Sequence, residues 1–385
     1  MRIVADSSYV ISNCRVLSAG VERDVLSIVV RDRRIEAVDE GSAGFRPPSG
    51  IPVYDAKGLY VMPGFVELHI HGCGMDGVEQ APDEPGVLAR MADFLSSRGC
   101  NTFLPTLPFN LPVIEALAAE LTENPQLEER VPGIYVEGPF VNPARRGGIP
   151  PAFVEVPDKG RLNHILETGR ERIRMMTVAP ELPGADVIIS RLWERGIIPC
   201  LGHSESDLRG IPEAPPGKAL NITHLFNAMS PVSHKTAGLA MLPFIDRSVY
   251  CELNSDGIHV CGEALTMCGR HIDNKRLILI SDAVVSAGLA GGSGSYFGKE
   301  VLSDKRGVRY ADSDILIGSN RLVHECAGCF LNWTGLGRAE VAGMVTSNPN
   351  RLLDRGDRGL VSTGMKADLI AVDGDFRPVI NFFPY

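Results

Sequence analysis

The sequence lacks several features that would place it at once in a class of proteins. No run of eighteen apolar residues occurs in its 385 residues, so a transmembrane helix is not expected. It has no long basic run and its formal net charge is −9, so nucleic acid is not an expected partner. It has no Walker loop, which leaves the binding of a nucleotide at such a loop without support. An anionic small molecule stays compatible with an acidic chain, because a local pocket can still be positive.

The sequence also lacks a signal-peptide pattern and a complete cysteine framework. Its first residues show no charged-then-apolar sequence, so we predict a cytoplasmic protein with no membrane partner. The nine cysteines include one Cys-x-x-Cys pair, Cys326 and Cys329. A structural zinc site needs four ligands, and there is no second pair to complete one. We therefore expect these two thiols to share a buried face of a helix.

Two strand-rich regions flank a long central region. Short β-rich runs fill the first part of the chain and are interrupted at residues 41–50, and a further strand-like run covers residues 364–373. We predict that residues 1–57 and 359–385 form one small β-sandwich domain built from both chain ends. Residues 58–358 would form the second domain.

Eight apolar runs recur through the central region. They cover residues 66–71, 100–104, 133–137, 175–179, 197–201, 220–224, 249–253 and 277–282. Many of the intervals carry helical periodicity, as at residues 87–95, 113–121 and 187–193. The alternation predicts an α/β protein, a (β/α)8 TIM-type barrel, in which functional residues gather at the carboxyl ends of the strands. A doubly wound open sheet is the alternative.

Side chains that bind metals occur at the ends of these predicted strands. His69 and His71 stand two apart on the first strand, so their imidazoles are expected to face the same way. Later strands end in Glu137, His203, His224 and Asp282. Such groups are costly to bury unpaired, and a divalent cation would satisfy Glu137, His203 and His224 together. Three protein ligands with one position open for water are typical of a catalytic metal site.

Asp282 follows the last predicted strand and has two compatible roles. It can be a further metal ligand, or it can take a proton from the attacking water and pass it to the leaving group. The alternative for each strand-end residue is a hydrogen-bonded core residue. We keep that interpretation for the three histidines outside strand ends, His164, His271 and His324.

Five motifs resemble those of a known family. They are Tyr-Val-Glu-Gly-Pro-Phe at residues 135–140, Thr-Val-Ala-Pro-Glu at 177–181, Gly-His-Ser at 202–204, Thr-His-Leu-Phe-Asn-Ala-Met at 223–229 and Asp-Gly-Ile-His at 256–259. The order His-x-His, Glu, His, His, Asp on a barrel resembles the amidohydrolase superfamily. Within it, the motifs resemble the N-acetylglucosamine-6-phosphate deacetylases over nearly the whole chain.

The resemblance implies hydrolysis of N-acetylglucosamine 6-phosphate to glucosamine 6-phosphate and acetate. It implies metal ligation by Glu137, His203 and His224 and an acid/base role for Asp282. Some members bind a second metal through the histidines that correspond to His69 and His71, and Glu137 would then bridge the two ions. Zinc is the expected cofactor, with iron, manganese and cobalt as alternatives.

The resemblance also implies a set of substrate contacts. They fall on Asn227, Ala228, His259, Ile317 and Gly318. Where an arginine commonly reaches the phosphate bound by the neighbouring subunit, this chain has Lys235, which implies a homodimer. Lysine supplies charge but not the bidentate geometry of arginine.

A second departure from the family lies at Ile149, where a histidine usually contacts the substrate near the reacting amide. Isoleucine cannot donate a hydrogen bond to a carbonyl oxygen. Alternatives therefore stay open: an N-acetyl amino sugar of galactosamine configuration, an unphosphorylated one, or another amide. A non-catalytic scaffold on the same barrel is the third alternative, and the presence of all candidate ligands counts against it.

Overall fold

The computed structural model describes residues 2–3, 6–41 and 48–383. Most of the interruption predicted at residues 41–50 therefore lies outside the described residues. The same is true of a few terminal residues of the predicted small domain.

Short strands open the chain and form most of a small sheet. They are β1 (Arg2–Ile3), β2 (Tyr9–Ser18), β3 (Val21–Arg31), β4 (Arg34–Asp39), β5 (Val53–Asp55) and β6 (Tyr60–Pro63). In β2 and β3 the antiparallel pairing runs from Tyr9 opposite Val30 to Ser18 opposite Val21, so the turn between them fixes the register.

Parallel strands then build the barrel. They are β7 (Phe65–Ile70), β10 (Cys100–Pro108), β11 (Ile134–Glu137), β12 (Ile173–Val178), β13 (Ile198–Leu201), β14 (Asn221–Ile222), β15 (Tyr250–Asn254) and β16 (Leu277–Ile280), with the short pair β8 (Gly72–Cys73) and β9 (Asp76–Gly77) after the first of them. Each barrel strand pairs in parallel with the next. The backbone N–H of Asp282 donates to the carbonyl of His69 at 3.0 Å, which joins the last strand to the first. The predicted (β/α)8 barrel is confirmed.

Helices cover the outside of the barrel. They are α1 (Val87–Ser96), α2 (Leu111–Glu123), α3 (Lys159–Thr168), α4 (Ala185–Glu194), α5 (Leu242–Ile245), α6 (Gly262–His271), α7 (Val323–Thr334), α8 (Arg338–Met344) and α9 (Ser347–Leu352), with 3-10 turns at Val78–Gln80, Pro125–Glu129, Pro143–Arg145, Pro151–Phe153 and Leu239–Met241. The three stretches predicted as helical lie within α1, α2 and α4. The start of α2 is fixed by Asn110, whose side chain accepts a hydrogen bond from Val113 N–H. None of these helices, over the ranges that the structure describes, could span a membrane.

A four-stranded antiparallel sheet follows the last barrel strand. It consists of β17 (Gly292–Tyr296), β18 (Lys299–Asp304), β19 (Gly307–Tyr310) and β20 (Leu316–Gly318). Its apolar side chains pack on Val284 and Val285, which come directly after the barrel. The sheet therefore lies beside the carboxyl ends of the barrel strands.

The chain returns to the small sheet through β21 (Leu369–Val372) and β22 (Pro378–Asn381). β21 pairs with β6 and β22 pairs with β1, so strands from both chain ends share one sheet, as predicted. Hydrogen bonds join the strands of both chain ends into one continuous eight-stranded sheet. The domain boundaries at residues 57/58 and 358/359 stay a prediction.

The predicted cysteine pair lies on α7. Cys326 is buried and Cys329 is half-buried, and each of the nine cysteines is free. Both thiols lie on a helix, as expected, but only Cys326 is fully buried, so the expected shared buried face is only partly present.

Candidate metal centre

Six predicted residues meet at the carboxyl ends of the barrel strands. His69 lies near the end of β7 and Glu137 ends β11, whereas the other four follow their strands directly or within two residues: His71, His203, His224 and Asp282. All six side chains are buried or nearly so. Residues that are far apart in the sequence thus share one small volume, because parallel barrel strands all end on the same face.

Three of these residues leave their strands with an unusual backbone conformation. The φ angle is 48° at His203, 26° at His224 and 53° at Asp282. Positive φ is uncommon for residues other than glycine, and it clusters at functional sites, where the surrounding structure holds it in place.

Glu137, His203 and His224 form the tightest group of ligand atoms. Glu137 Oε1 lies 3.1 Å from His224 Nε2 and 3.3 Å from His203 Nε2, and the two Nε2 atoms are 3.1 Å apart. Ligands held 2.0–2.1 Å from a tetrahedral zinc ion are roughly 3.3 Å from one another. The donor set and its spacing therefore fit a divalent cation.

His69, His71 and Glu137 form a second group of suitable ligand atoms. His69 Nε2 lies 3.5 Å from Glu137 Oε1, and His71 Nε2 lies 3.7 Å from Glu137 Oε2. His69 Nε2 is buried and makes no hydrogen bond within the described part of the chain. An orphaned buried nitrogen beside a carboxylate also fits a cation, and Glu137 is the residue that both groups share.

Asp282 lies beside the second group. Its Oδ1 atom is 3.2 Å from His71 Nε2 and 3.7 Å from His69 Nε2. Burial alone would raise the pKa of Asp282, but the hydrogen bond from His71 and the neighbouring imidazoles lower it below its ordinary value. The carboxylate is thus held ionised, in the state that can accept a proton.

The electrostatics of the whole cluster favour positive charge. Burial would raise the pKa of Glu137, yet His69, His203 and His224 together lower it well below its ordinary value. Burial would lower the pKa of His69, but the Glu137 and Glu252 carboxylates raise it to about 10. A bound cation would compete with protons for these positions.

Two more carboxylates lie buried behind the ligands. Glu67 accepts hydrogen bonds from the backbone N–H groups of His69 and Ser281, and burial raises its pKa to about 8. Glu252 accepts a hydrogen bond from Nδ1 of His69 at 3.0 Å. Neither residue was predicted from the sequence, although a charged residue inside an apolar strand is a signal that could have identified them.

A cavity of about 190 Å³ opens onto these ligands. The predicted residues that line it are His71, Glu137, His203, His224, Asn227, Ala228, His259, Asp282 and Ile317, and Ile149 lies on its wall. Gly318 lies outside the wall, packed against the backbone oxygen of Asp282. Lys235 is exposed on a loop and does not line the cavity.

Two residues of the cavity wall are held by specific contacts. His259 Nδ1 donates to Asp256 Oδ2 at 2.8 Å, which leaves His259 Nε2 available to a substrate. The Tyr296 hydroxyl, on β17, lies 3.3 Å from His71 Nδ1. Tyr296 was not predicted, because no motif in its glycine-rich and serine-rich surroundings connects it to the barrel.

A larger cavity, about 910 Å³, lies at the opposite ends of the barrel strands. Residues at the beginning of strands line it, among them Ile198 and Tyr250, and it contains no histidine. The volume of a cavity therefore does not identify the functional site. The convergence of side chains that can bind a metal identifies it instead.

The barrel and its strand-end histidines and carboxylates define a hydrolytic enzyme of the amidohydrolase superfamily. No family model matches the sequence. The N-acetylglucosamine-6-phosphate deacetylase of Bos taurus is 31% identical over 336 residues, which cover 83% of this chain and 81% of the bovine protein. The chain belongs to the N-acetylglucosamine-6-phosphate deacetylase family.

Two further relatives extend the comparison. The N-acetylgalactosamine-6-phosphate deacetylase of Escherichia coli O157:H7 is 28% identical over 349 residues, covering 89% of this chain and 91% of the bacterial protein. The structure of a Mycobacterium smegmatis N-acetyl-D-glucosamine-6-phosphate deacetylase mutant, in complex with N-acetyl-D-glucosamine-6-phosphate, is 25% identical. It superimposes with a TM-score of 0.86 and covers 97% of both chains.

Proposed function

We propose that this protein removes the acetyl group from N-acetylglucosamine 6-phosphate, giving glucosamine 6-phosphate and acetate. The observation that carries the proposal is the convergence of Glu137, His203 and His224 beside Asp282 in one cavity. Membership of the deacetylase family supports the same reaction.

Glu137, His203 and His224 would hold a divalent cation, and His69 and His71 would hold a second one with Glu137 between them. We propose zinc, since nitrogen and carboxylate ligands with tetrahedral spacing suit it, although iron, manganese or cobalt would accept the same donors. When bound, such a cation lowers the pKa of water and stabilises negative charge on the acetamide oxygen.

Asp282 is the proton carrier in this proposal. Its ionised carboxylate accepts a proton from the attacking water as the new C–O bond forms. It then donates that proton to the nitrogen as the C–N bond breaks, which releases the amine and acetate. His71, 3.2 Å away, orients the carboxylate between the two events.

The substrate would be positioned by the cavity wall. His259 presents Nε2 because Asp256 engages Nδ1, and Asn227 and Ala228 lie on the same wall. Ile149 and Ile317 contribute an apolar surface that limits the access of bulk water. Correct orientation of the acetamide is a large part of what such a wall contributes to the rate.

We propose that the phosphate is bound by Lys235 of a second copy in a homodimer. The proposal is compatible with the structure, because Lys235 is exposed and does not line the cavity of its own chain. A substrate of galactosamine configuration is the second candidate, because one relative is an N-acetylgalactosamine-6-phosphate deacetylase and Ile149 departs from the family pattern. We further propose a cytoplasmic location, supported by nine free cysteines.

The test is acetate release by the purified, metal-loaded protein from four compounds: N-acetylglucosamine and N-acetylgalactosamine, each with and without the 6-phosphate. We expect N-acetylglucosamine 6-phosphate to give the highest kcat/KM. A higher value for the galactosamine compound would favour the second candidate. Absence of acetate from all four would refute the deacetylase proposal.

A further inference from the structure

Glu252 and His69 form a buried pair behind the metal-ligand cluster. His69 Nδ1 and Glu252 Oε2 are 3.0 Å apart, and neither side chain is exposed to solvent. Because the carboxylate accepts a hydrogen bond from Nδ1–H, the lone pair of the neutral imidazole lies on Nε2. That nitrogen is the one that faces Glu137 and Asp282.

Glu252 is itself held in place by two further donors. Asn221 Nδ2 donates to its Oε1 at 2.7 Å, and the backbone N–H of His224 lies 3.4 Å from its Oε2. Asn221 and Glu252 lie on the neighbouring strands β14 and β15. The carboxylate is therefore fixed by the barrel itself and not by a flexible loop.

No lysine or arginine forms an ion pair with Glu252 among the described residues. Its one ion pair within the described residues is with His69, and Glu137 and Asp282 likewise pair only with histidines there. Burying a carboxylate is costly unless positive charge compensates it. Three carboxylates around one small volume exceed the charge of a single divalent cation.

We propose that Glu252 is a positioning residue that makes His69 a ligand of a second divalent cation, shared with His71 and Glu137. This inference rests on the proposed metal-dependent function. A carboxylate on the outer nitrogen of a metal-bound histidine fixes the ring and its tautomer, and it raises the basicity of the ligating nitrogen. Loss of such a partner typically costs about 10–100-fold in metal affinity.

Two substitutions separate the charge of Glu252 from its hydrogen bond. Glu252→Leu removes both. Glu252→Gln keeps an acceptor for His69 Nδ1, and the donor of the new amide can be satisfied if Asn221 turns, since Asn221 Oδ1 makes no hydrogen bond within the described chain. The matched control is Asp368→Asn, because Asp368, just before β21, is also buried and hydrogen-bonded, but to Asn101 at the start of β10 and away from the metal ligands.

The experiment titrates metal-stripped protein with zinc and with cobalt, without substrate, and measures bound ions by elemental analysis and by cobalt absorption. We expect two ions in the wild type and in Asp368→Asn. The weaker site should need roughly tenfold more free metal in Glu252→Gln and roughly 100-fold more in Glu252→Leu, with the other site unchanged.

Several results would overturn the proposal. One is a single bound ion in the wild type, and another is wild-type affinity for both ions in both Glu252 variants. The third is loss of the same ion in Asp368→Asn, because that would attribute the effect to general destabilisation. Because metal binding is measured without substrate, these outcomes are distinct from a failure of the deacetylase assay.

Discussion

Nδ1 of His203 lies 2.8 Å from the backbone oxygen of Arg145. A carbonyl oxygen can only accept, so Nδ1 carries a proton, and in the neutral ring the lone pair lies on Nε2, the atom that faces Glu137 and His224. Arg145 belongs to the 3-10 turn Pro143–Arg145, which follows the Glu137 strand. The same loop that continues from one predicted ligand thus orients another.

This arrangement predicts that removal of divalent ions destabilises the protein as well as inactivating it. Without a cation, the His203 lone pair and the Glu137 carboxylate lose their shared partner. A ligand at 1,000 times its Kd stabilises the folded state by about 4 kcal/mol, so the Tm should fall on chelation and recover with zinc. Thermal unfolding with and without a chelator measures this. His203→Gln should show a much smaller shift, and an unchanged Tm and activity in the chelated wild type would contradict the prediction.

Asp282→Asn should bind substrate and lose turnover. The amide cannot accept the proton of the attacking water, and a positioned acid or base contributes about 10²–10⁴-fold to rate. We therefore expect kcat to fall by that factor while KM changes little. Steady-state acetate release is the measurement, and Asp354→Asn, exposed at the opposite end of the barrel, is the control. Near-normal kcat in Asp282→Asn would exclude the proton-transfer role.

The sequence was sufficient to predict the barrel and the side chains that meet at its strand ends, because both depend on local patterns. A buried parallel strand reads as a short apolar run, and a histidine or carboxylate at its end stands out, as at Glu137 and Asp282. Even the two-residue strand Asn221–Ile222 was found this way, since the apolar residues Ala219 and Leu220 precede it and His224 follows it closely.

The parts that were not predicted depend on contacts distant in sequence. Tyr296 reaches His71 across 225 residues from a sheet whose first strand is rich in glycine and serine, so no periodic pattern indicated its position. Glu252 is a charged residue within an otherwise largely apolar strand, and it could have been noticed there. The sequence does not show that His69, two strands away around the closed barrel, lies 3.0 Å from it.

Lys235→Ala tests whether phosphate is bound across a dimer interface. A hydrogen bond to a charged group is worth about 1.5–3 kcal/mol, so KM for N-acetylglucosamine 6-phosphate should rise by roughly 10–100-fold. Hydrolysis of the unphosphorylated sugar should be unaffected. Lys218→Ala is the control, because Lys218 lies at the far end of the barrel. An equal effect on both sugars, or none on either, would argue against a phosphate contact.

Glu79 gives the protein a stability that depends on pH. Burial raises its pKa to about 7 from an ordinary 4.5, and its Oε2 atom makes no hydrogen bond within the described residues. The folded state therefore holds the proton more tightly than the unfolded state. The resulting stabilisation is complete below about pH 4.5 and is lost as pH rises through about 7.

Glu79→Gln, which stays neutral, should remove this dependence. Between about pH 5 and about pH 8.5, the Tm of the wild type should fall relative to that of Glu79→Gln by roughly 2–4 °C, the shift expected for about 2–3 kcal/mol in a chain of 385 residues. Calorimetry of both proteins at equal metal loading measures the difference. Glu84→Gln, at an exposed position, should follow the wild type at every pH. Parallel Tm curves for Glu79→Gln and the wild type would mean that Glu79 titrates alike in the folded and unfolded chains.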